Sequence, residues 1–433
     1  MLRPMRTPPP TGAGWARSLD RVRWIGPGLV LAATAIGASH LVLAPVAGAA
    51  FGYALLWLVP FTHLFKYPAF EFGPRWAVAT GTSLLEGYAR APGPRGWALW
   101  AFLAGTVVQG FTVLAGVLAV AAAVAAAAAP GIPFLAWNAL LAAAGAGLLA
   151  SGRFDGLSAL SKWMMAILAT VTVVAFAATP PPAAAWGGLV RPALPEGSIV
   201  LAAAILGWMP TGIDVSVWHS MWALERTDAW AERAARRPGP RRILEIARAD
   251  LAIGYGLSFV LAAMFVALGA EVLRPTGSVP EGAAVVVTIA RLYTEVLGEW
   301  MWWPFLAAAF FGMFSTTLGV LDGFPRAFEE TLRRLRGRGP GVPGGRAYRA
   351  FQAGALVLAL VEIATLRDPV VLVTVAAVAS FLLAPLTSGL NLWCVSRGIS
   401  DPALRPGKLL RAWAVAGIVC MAAAAVLFLS LQL

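Results

Sequence analysis

Two short stretches of this chain hold the residues best suited to chemistry. Gly37-Ala38-Ser39-His40 lies in an apolar run that opens with Gly26-Pro27-Gly28; Met209-Pro210-Thr211-Gly212, with Asp214 two residues on, lies in another. Pro and Gly in the middle of an apolar helix remove a backbone donor and weaken the helix. Amides and carbonyls freed at membrane depth are tolerated only when buried in protein or facing a cavity. A pair of interrupted helices at matching places in two halves of a chain points to a transporter's midplane site. The predicted substrate site is therefore Gly37, Ala38, Ser39 and His40 facing Met209, Pro210, Thr211 and Gly212. His40 can touch substrate or carry a proton; the plainer alternative is a neutral imidazole bonded to a backbone carbonyl. Asp214 can accept a coupling proton or ligate a cation, or it can cap the second half-helix, where a carboxylate is favoured.

The remaining polar residues in apolar runs are few, and polar groups there are costly and usually functional. They are His63, Lys66, Glu71, Gln109, Ser216, His219, Ser315, Thr316, Thr317, Asp322, Ser380 and Asn391. Lys66 and Glu71 read as structural, pairing with each other or reaching for the membrane surface. Cys394 and Cys420 lack metal-ligand spacing and read as small apolar side chains.

The elements that must position these residues follow from composition. The chain has 433 residues, 59% hydrophobic and 12% charged, with mean hydropathy +0.75. A soluble domain is about 25% charged, so this composition excludes a soluble enzyme, a nucleic-acid-binding domain and a disordered chain. It implies an all-α integral membrane protein. Eleven apolar segments are predicted, near 26–46, 51–72, 97–129, 132–151, 159–178, 199–224, 249–270, 300–324, 348–366, 369–394 and 410–431. The third is longer than one span, so its Ala-rich end is predicted to include loop. Gly282 to Leu297 is predicted as a short amphipathic helix outside the membrane.

Loop charge tests this count. Of the 33 basic residues, three are Lys and 30 are Arg. Strict alternation puts 28 on one side and four on the other (Arg191, Arg274, Arg291 and Arg367), with Lys66 inside segment 2. Basic residues favour the cytoplasm, so the N-terminus is predicted inside and the C-terminus outside. The positive charge marks membrane orientation rather than a nucleic-acid face. Residues 1–25 read as a cytoplasmic tail and not as a cleaved signal peptide. Residues 26–433 form one transmembrane domain, with repeat one at about 26–178, repeat two at about 199–394 and an additional helix at about 410–431. The expected location is the cell's inner (plasma) membrane, crossed many times.

At these residues the sequence resembles the NRAMP (natural-resistance-associated macrophage protein) family of metal transporters. Gly26-Pro27-Gly28 is followed 25 residues later by Phe51-Gly52-Tyr53 and then Leu55-Leu56-Trp57, matching the family's pattern without a gap. Ala79-Thr80-Gly81, Met209-Pro210 and Ser315-Thr316-Thr317-Leu318-Gly319 resemble further family motifs. The resemblance implies a LeuT-type fold of two inverted five-helix repeats, with helices 1 and 6 broken and the site between them. The departures bear on cargo. The family's first motif is Asp-Pro-Gly-Asn, and Gly37, Ala38, Ser39 and His40 stand there. Thr211 replaces the His of Met-Pro-His, and segment 3 has Gln109 but no acidic residue.

Hard divalent ions want oxygen ligands, usually with a carboxylate, and a dication without an anionic partner faces a large desolvation penalty. The expected function is therefore secondary transport by alternating access of a small anion such as bicarbonate, or of a small organic or amino-acid carboxylate. The alternative is a proton-coupled divalent-metal transporter using Met209, His40 and Asp214. A non-transporting membrane sensor is disfavoured by the paired breaks, and a nucleotide-driven pump by the lack of a GxxxxGK[ST] motif. No catalytic residue and no cofactor are expected beyond a coupling ion, Na⁺ or H⁺. The expected partners are the ion and the bilayer.

Overall fold

A computed structural model describes residues 37–151, 154–233, 239–339, 341 and 344–432. Every described element is helical. A π-helical turn, Ser39–Leu43, leads into α1 (Ala44–Phe51). Then follow α2 (Leu58–Thr80), the short α3 (Leu84–Tyr88), α4 (Trp97–Ala128), α5 (Phe134–Ser151) and α6 (Phe154–Ala178). The second half holds α7 (Ile199–Trp208), α8 (Val215–Arg233), α9 (Pro240–Leu268), α10 (Val285–Leu297) and α11 (Trp302–Leu335). It closes with α12 (Arg346–Leu366), α13 (Pro369–Trp393) and α14 (Lys408–Gln432).

Among the described residues, seven helices are long and apolar enough to cross a membrane. Shorter apolar helices at Ser39–Phe51, Trp163–Ala178 and Ile199–Trp208 fall in segments 1, 5 and 6. Segment 2 is α2, whose Lys66, Glu71 and Arg75 dilute its apolar character.

Three expectations change. Segment 2 starts at Leu58 and not at residue 51, because Gly52 takes a φ of 59° that ends α1 and opens a turn. It also runs on to Thr80, where Gly81 closes it in a left-handed cap. The Ala-rich end of segment 3 is helix to Ala128 and not loop, as alanine's helix propensity favours, and it stops just ahead of Pro130. The predicted amphipathic helix forms as α10, burying Val285, Val286, Ile289, Ala290, Leu292 and Tyr293. The Tyr293 hydroxyl lies 2.8 Å from that of Thr172 on α6.

The core is formed where α4 lies against α11 and α13, α13 against α7, and α8 against α2. Glycines allow the closest approaches. A Cβ on Gly48 would strike the carbonyl of Val266, and one on Gly269 would strike that of Pro45, so α1 and the end of α9 touch backbone to backbone.

Candidate functional site

The break predicted in segment 6 is present. α7 ends at Trp208, Met209 is extended (φ −98°, ψ 124°), and helix resumes at Val215. In segment 1, residues 26–36 lie outside the described residues. From there the chain enters its helix at Gly37, whose carbonyl accepts from the amides of His40 and Leu41.

A cavity of about 50 Å³ lies between these two stretches. Gly37, Ala38 and Ser39 line it from segment 1, and Pro210, Thr211, Gly212 and Asp214 line it from the break. Thr316 and Gly319 of α11 and Ser380 of α13 complete its polar rim. A cavity of roughly 10–15 Å³ holds one water, so this one accepts on the order of three to five water-sized groups. His40 and Met209 are fully buried but are not among its lining residues.

His40 turns instead toward α9. Its Nε2 lies 3.0 Å from both the carbonyl and the hydroxyl of Ser258. His63 of α2 meets the same hydroxyl through Nε2 at 3.1 Å, and its Nδ1 lies 2.8 Å from the Val59 carbonyl. A carbonyl only accepts, so His63 carries its hydrogen on Nδ1. With both imidazoles neutral, Ser258 Oγ then donates to His63 and His40 Nε2 donates to Ser258. The remaining acceptor, His40 Nδ1, takes the Ser39 hydroxyl hydrogen at 2.9 Å. The longer approach of Ser39 Oγ to Pro210 O, at 3.4 Å, is the weaker contact.

Lys66 is the residue whose role the sequence reading missed. Its Nζ donates to three carbonyls of the break: Gly207 at 2.7 Å, Met209 at 3.0 Å and Thr211 at 2.8 Å. Its side chain is entirely buried. The anticipated pairing with Glu71 does not form, because residues five apart on a helix point to different faces. Glu71 is held by Arg75 (2.5 Å) and Arg248 (3.2 Å). The available signal was that Lys66 alone among the three lysines sits in mid-span, and a charge there needs a specific partner.

Asp214 occupies the other end of the break. It directly precedes α8, which begins at Val215, and its carboxylate acts electrostatically on Lys66. Thus a cation sits at the carbonyl end of α7 and an anion at the amide end of α8, each where the helix dipole favours it. Asp214 also lines a second cavity of about 10 Å³ between α4 and α13, beside Gln109, Thr106 and Thr387. Gln109 stands in a chain that braces the site: Trp208 Nε1 donates to Ser380 Oγ (3.0 Å), and Ser380 donates to Gln109 Oε1 (2.5 Å). Asn391 ties α13 to Ala69 and Ser216 and receives the Tyr88 hydroxyl at 2.6 Å.

Among the described residues, no group of three or more His, Cys, Asp or Glu is arranged to hold a metal ion.

The comparisons agree with this architecture. A match to the family described as natural resistance-associated macrophage protein-like covers residues 28–431. An uncharacterised protein of Pasteurella multocida (strain Pm70) is 29% identical over 426 residues, covering 94% of this chain and 92% of that one. Among solved structures, a mutant of the Eremococcus coleocola manganese transporter aligns over 98% of this chain and 89% of its own, at TM-score 0.71 and 13% identity. A nucleobase-cation-symport-1 family transporter in a closed conformation aligns over 94% and 92%, at TM-score 0.55 and 16% identity. At such identities these two structures speak to fold, the LeuT-type arrangement that the family resemblance implies.

Proposed function

The chain belongs to the natural resistance-associated macrophage protein-like family, and from that premise we propose that this secondary membrane transporter carries a small anion rather than a metal cation. The observation that carries the reading is Lys66. A divalent cation at the break would compete with an ammonium group for the carbonyls of Gly207, Met209 and Thr211. It would also find no carboxylate at Gly37 or its three neighbours. Two like unit charges 4 Å apart repel by about 4 kcal/mol at an effective dielectric of 20.

An anion meets the opposite field, offset by Asp214. Protonation of Asp214 would leave Lys66 uncompensated, so proton and anion binding would favour one another, and linkage makes the effect reciprocal. That arrangement amounts to proton–anion symport by alternating access, with the cargo between segments 1 and 6. Asp214→Asn is expected to bind anion without its proton, so that an imposed inward proton gradient no longer accelerates uptake. An unchanged response to the gradient would remove Asp214 from the coupling.

The deciding experiment sets Mn²⁺ influx beside bicarbonate influx in liposomes, with a metal-quenched dye and an internal pH dye. Bicarbonate-dependent alkalinisation without Mn²⁺ entry supports the anion reading. Mn²⁺ entry above empty liposomes overturns it and makes Met209, His40 and Asp214 the ligands to mutate.

A further inference from the structure

Four prolines lie inside the described helices: Pro68 and Pro74 in α2, Pro325 in α11 and Pro385 in α13. Each lacks the N–H that would bond the carbonyl four residues back, so each weakens its helix at that turn. At two of them a side chain from another helix supplies the missing donor. Trp413 Nε1 of α14 donates to the Leu64 carbonyl, four residues before Pro68, at 2.8 Å. Gln352 Nε2 of α12 donates to the Leu321 carbonyl, four residues before Pro325, at 3.0 Å. The carbonyls freed by Pro74 and Pro385, those of Phe70 and Phe381, have no side-chain donor among the described residues.

The two bridged prolines share a position. In α2, Lys66 holds the break just ahead of Pro68, while beyond it Glu71 joins Arg248 and Arg75 donates to the Leu404 carbonyl. In α11, Thr316, Gly319, Val320 and Phe324 line the cavity ahead of Pro325, while beyond it Arg334 pairs with Glu86 of α3. Each proline thus divides a part fixed to the cavity or the break from a part that closes the arginine-rich face. The outer helices are seated firmly at both places. A Cβ on Gly417 of α14 would strike the Phe65 carbonyl, and the Tyr67 ring stacks on Trp413 with centroids 5.3 Å apart. From α12 the Tyr348 hydroxyl donates to Asp322 of α11 at 2.9 Å. Leu64 is 52% exposed, and at membrane depth a bare carbonyl there has no water to bond.

We infer that Trp413 and Gln352 are positioning residues of the transport cycle. Each holds a proline hinge in its closed setting, and the arginine-rich face opens as α2 bends at Pro68 and α11 at Pro325. α14, the last helix of the chain, thereby braces α2, and α12 braces α11. The inference needs alternating access alone, so it is independent of whether the cargo is an anion or a metal cation.

The test uses the full chain carrying Cys394→Ala, Cys420→Ala and Val113→Cys, the last on the apolar wall of the cavity. A membrane-impermeant maleimide is added to vesicles of each orientation. Trp413→Phe keeps a ring against Tyr67 and deletes the N–H; Gln352→Met keeps the length and deletes the amide. Each should speed labelling from the arginine-rich face about fivefold, the shift that one kcal/mol gives a two-state equilibrium, and slow it from the other face. Pro68→Ala returns an N–H to the Leu64 carbonyl, so Trp413→Phe should add nothing in that background. Pro325→Ala should cancel Gln352→Met in the same way. Unchanged labelling in either variant, in protein that elutes as a single folded species, overturns the inference. So does equal acceleration from both faces, and so does an effect of Trp413→Phe that survives Pro68→Ala. Should Trp413→Phe fail to fold, Gln352→Met with and without Pro325→Ala decides by the same criteria.

Discussion

Lys66 supplies donors to three carbonyls that have no helical partner once segment 6 unwinds. A buried acceptor left without its donor costs about 1–3 kcal/mol, and Lys66 serves three. Lys66→Met, similar in length but without charge, should therefore lower the melting temperature in detergent and abolish transport. A variant with unchanged melting and uptake would show the carbonyls satisfied some other way. Ser258→Ala probes the histidine chain, since it strips His63 Nε2 of its donor. A buried group left unsatisfied costs about 1–3 kcal/mol, so a smaller loss of thermal stability is expected; no loss would mean that water replaces the hydroxyl. At this scale the sequence named most of the cavity's polar lining. Gly37, Ala38, Ser39, Pro210, Thr211, Gly212 and Asp214 all face it. It did not reveal that His40 turns to α9 or that Lys66 reaches the break. Both depend on how α2 and α9 cross segments 1 and 6, and hydrophobic periodicity carries no information on crossing.

At the scale of elements, the break in segment 6 was legible from Met209-Pro210-Thr211-Gly212, because Pro and Gly act on the backbone locally. The start of α2 was not, since one glycine with positive φ inside an apolar run looks like any other apolar position. Nor were the apolar walls at Val113, Val117, Trp208 and Trp218, which share residue types with the lipid-facing surface. Close helix approaches give a contrasting pair of predictions. A Cβ at Gly207 would strike the carbonyl of Ala377, forcing α7 away from α13, whereas one at Gly319 meets nothing within 4 Å. Gly207→Ala should reduce the yield of folded protein and end transport. Gly319→Ala, on the cavity lining, should leave melting unchanged. Equal folded yields for the two would show that α7 and α13 separate without penalty.

For the whole molecule, alternating access requires the cavity to open to one face at a time, and contacts on the arginine-rich face define what must part. There Glu86 of α3 pairs with Arg334 of α11, and Arg334 pairs with Glu330 at 2.8 Å. Glu71 of α2 joins Arg248 of α9, and Arg75 donates to the Leu404 carbonyl at 2.5 Å. On the opposite face the Tyr53 hydroxyl donates to Glu271 at 2.6 Å, and Trp57 Nε1 donates to the Ala193 carbonyl at 2.9 Å. The Glu86–Arg334 pair is mostly shielded from water, with side chains 20% and 9% exposed, so it escapes the screening that leaves surface pairs worth little. Glu86→Gln should therefore bias the molecule toward opening on the arginine-rich face. One kcal/mol moves a two-state equilibrium about fivefold. The readout is a cysteine replacing Thr316 on the cavity wall, in a chain whose Cys394 and Cys420 are alanine, labelled by a membrane-impermeant maleimide. In the Glu86→Gln background labelling should accelerate about fivefold from the arginine-rich side and slow from the other. Because loop charge assigns that side to the cytoplasm, the acceleration should appear only in vesicles with their cytoplasmic face outward. Acceleration in the opposite orientation would reverse the topology, and no change in either would free the Glu86–Arg334 pair from any part in gating.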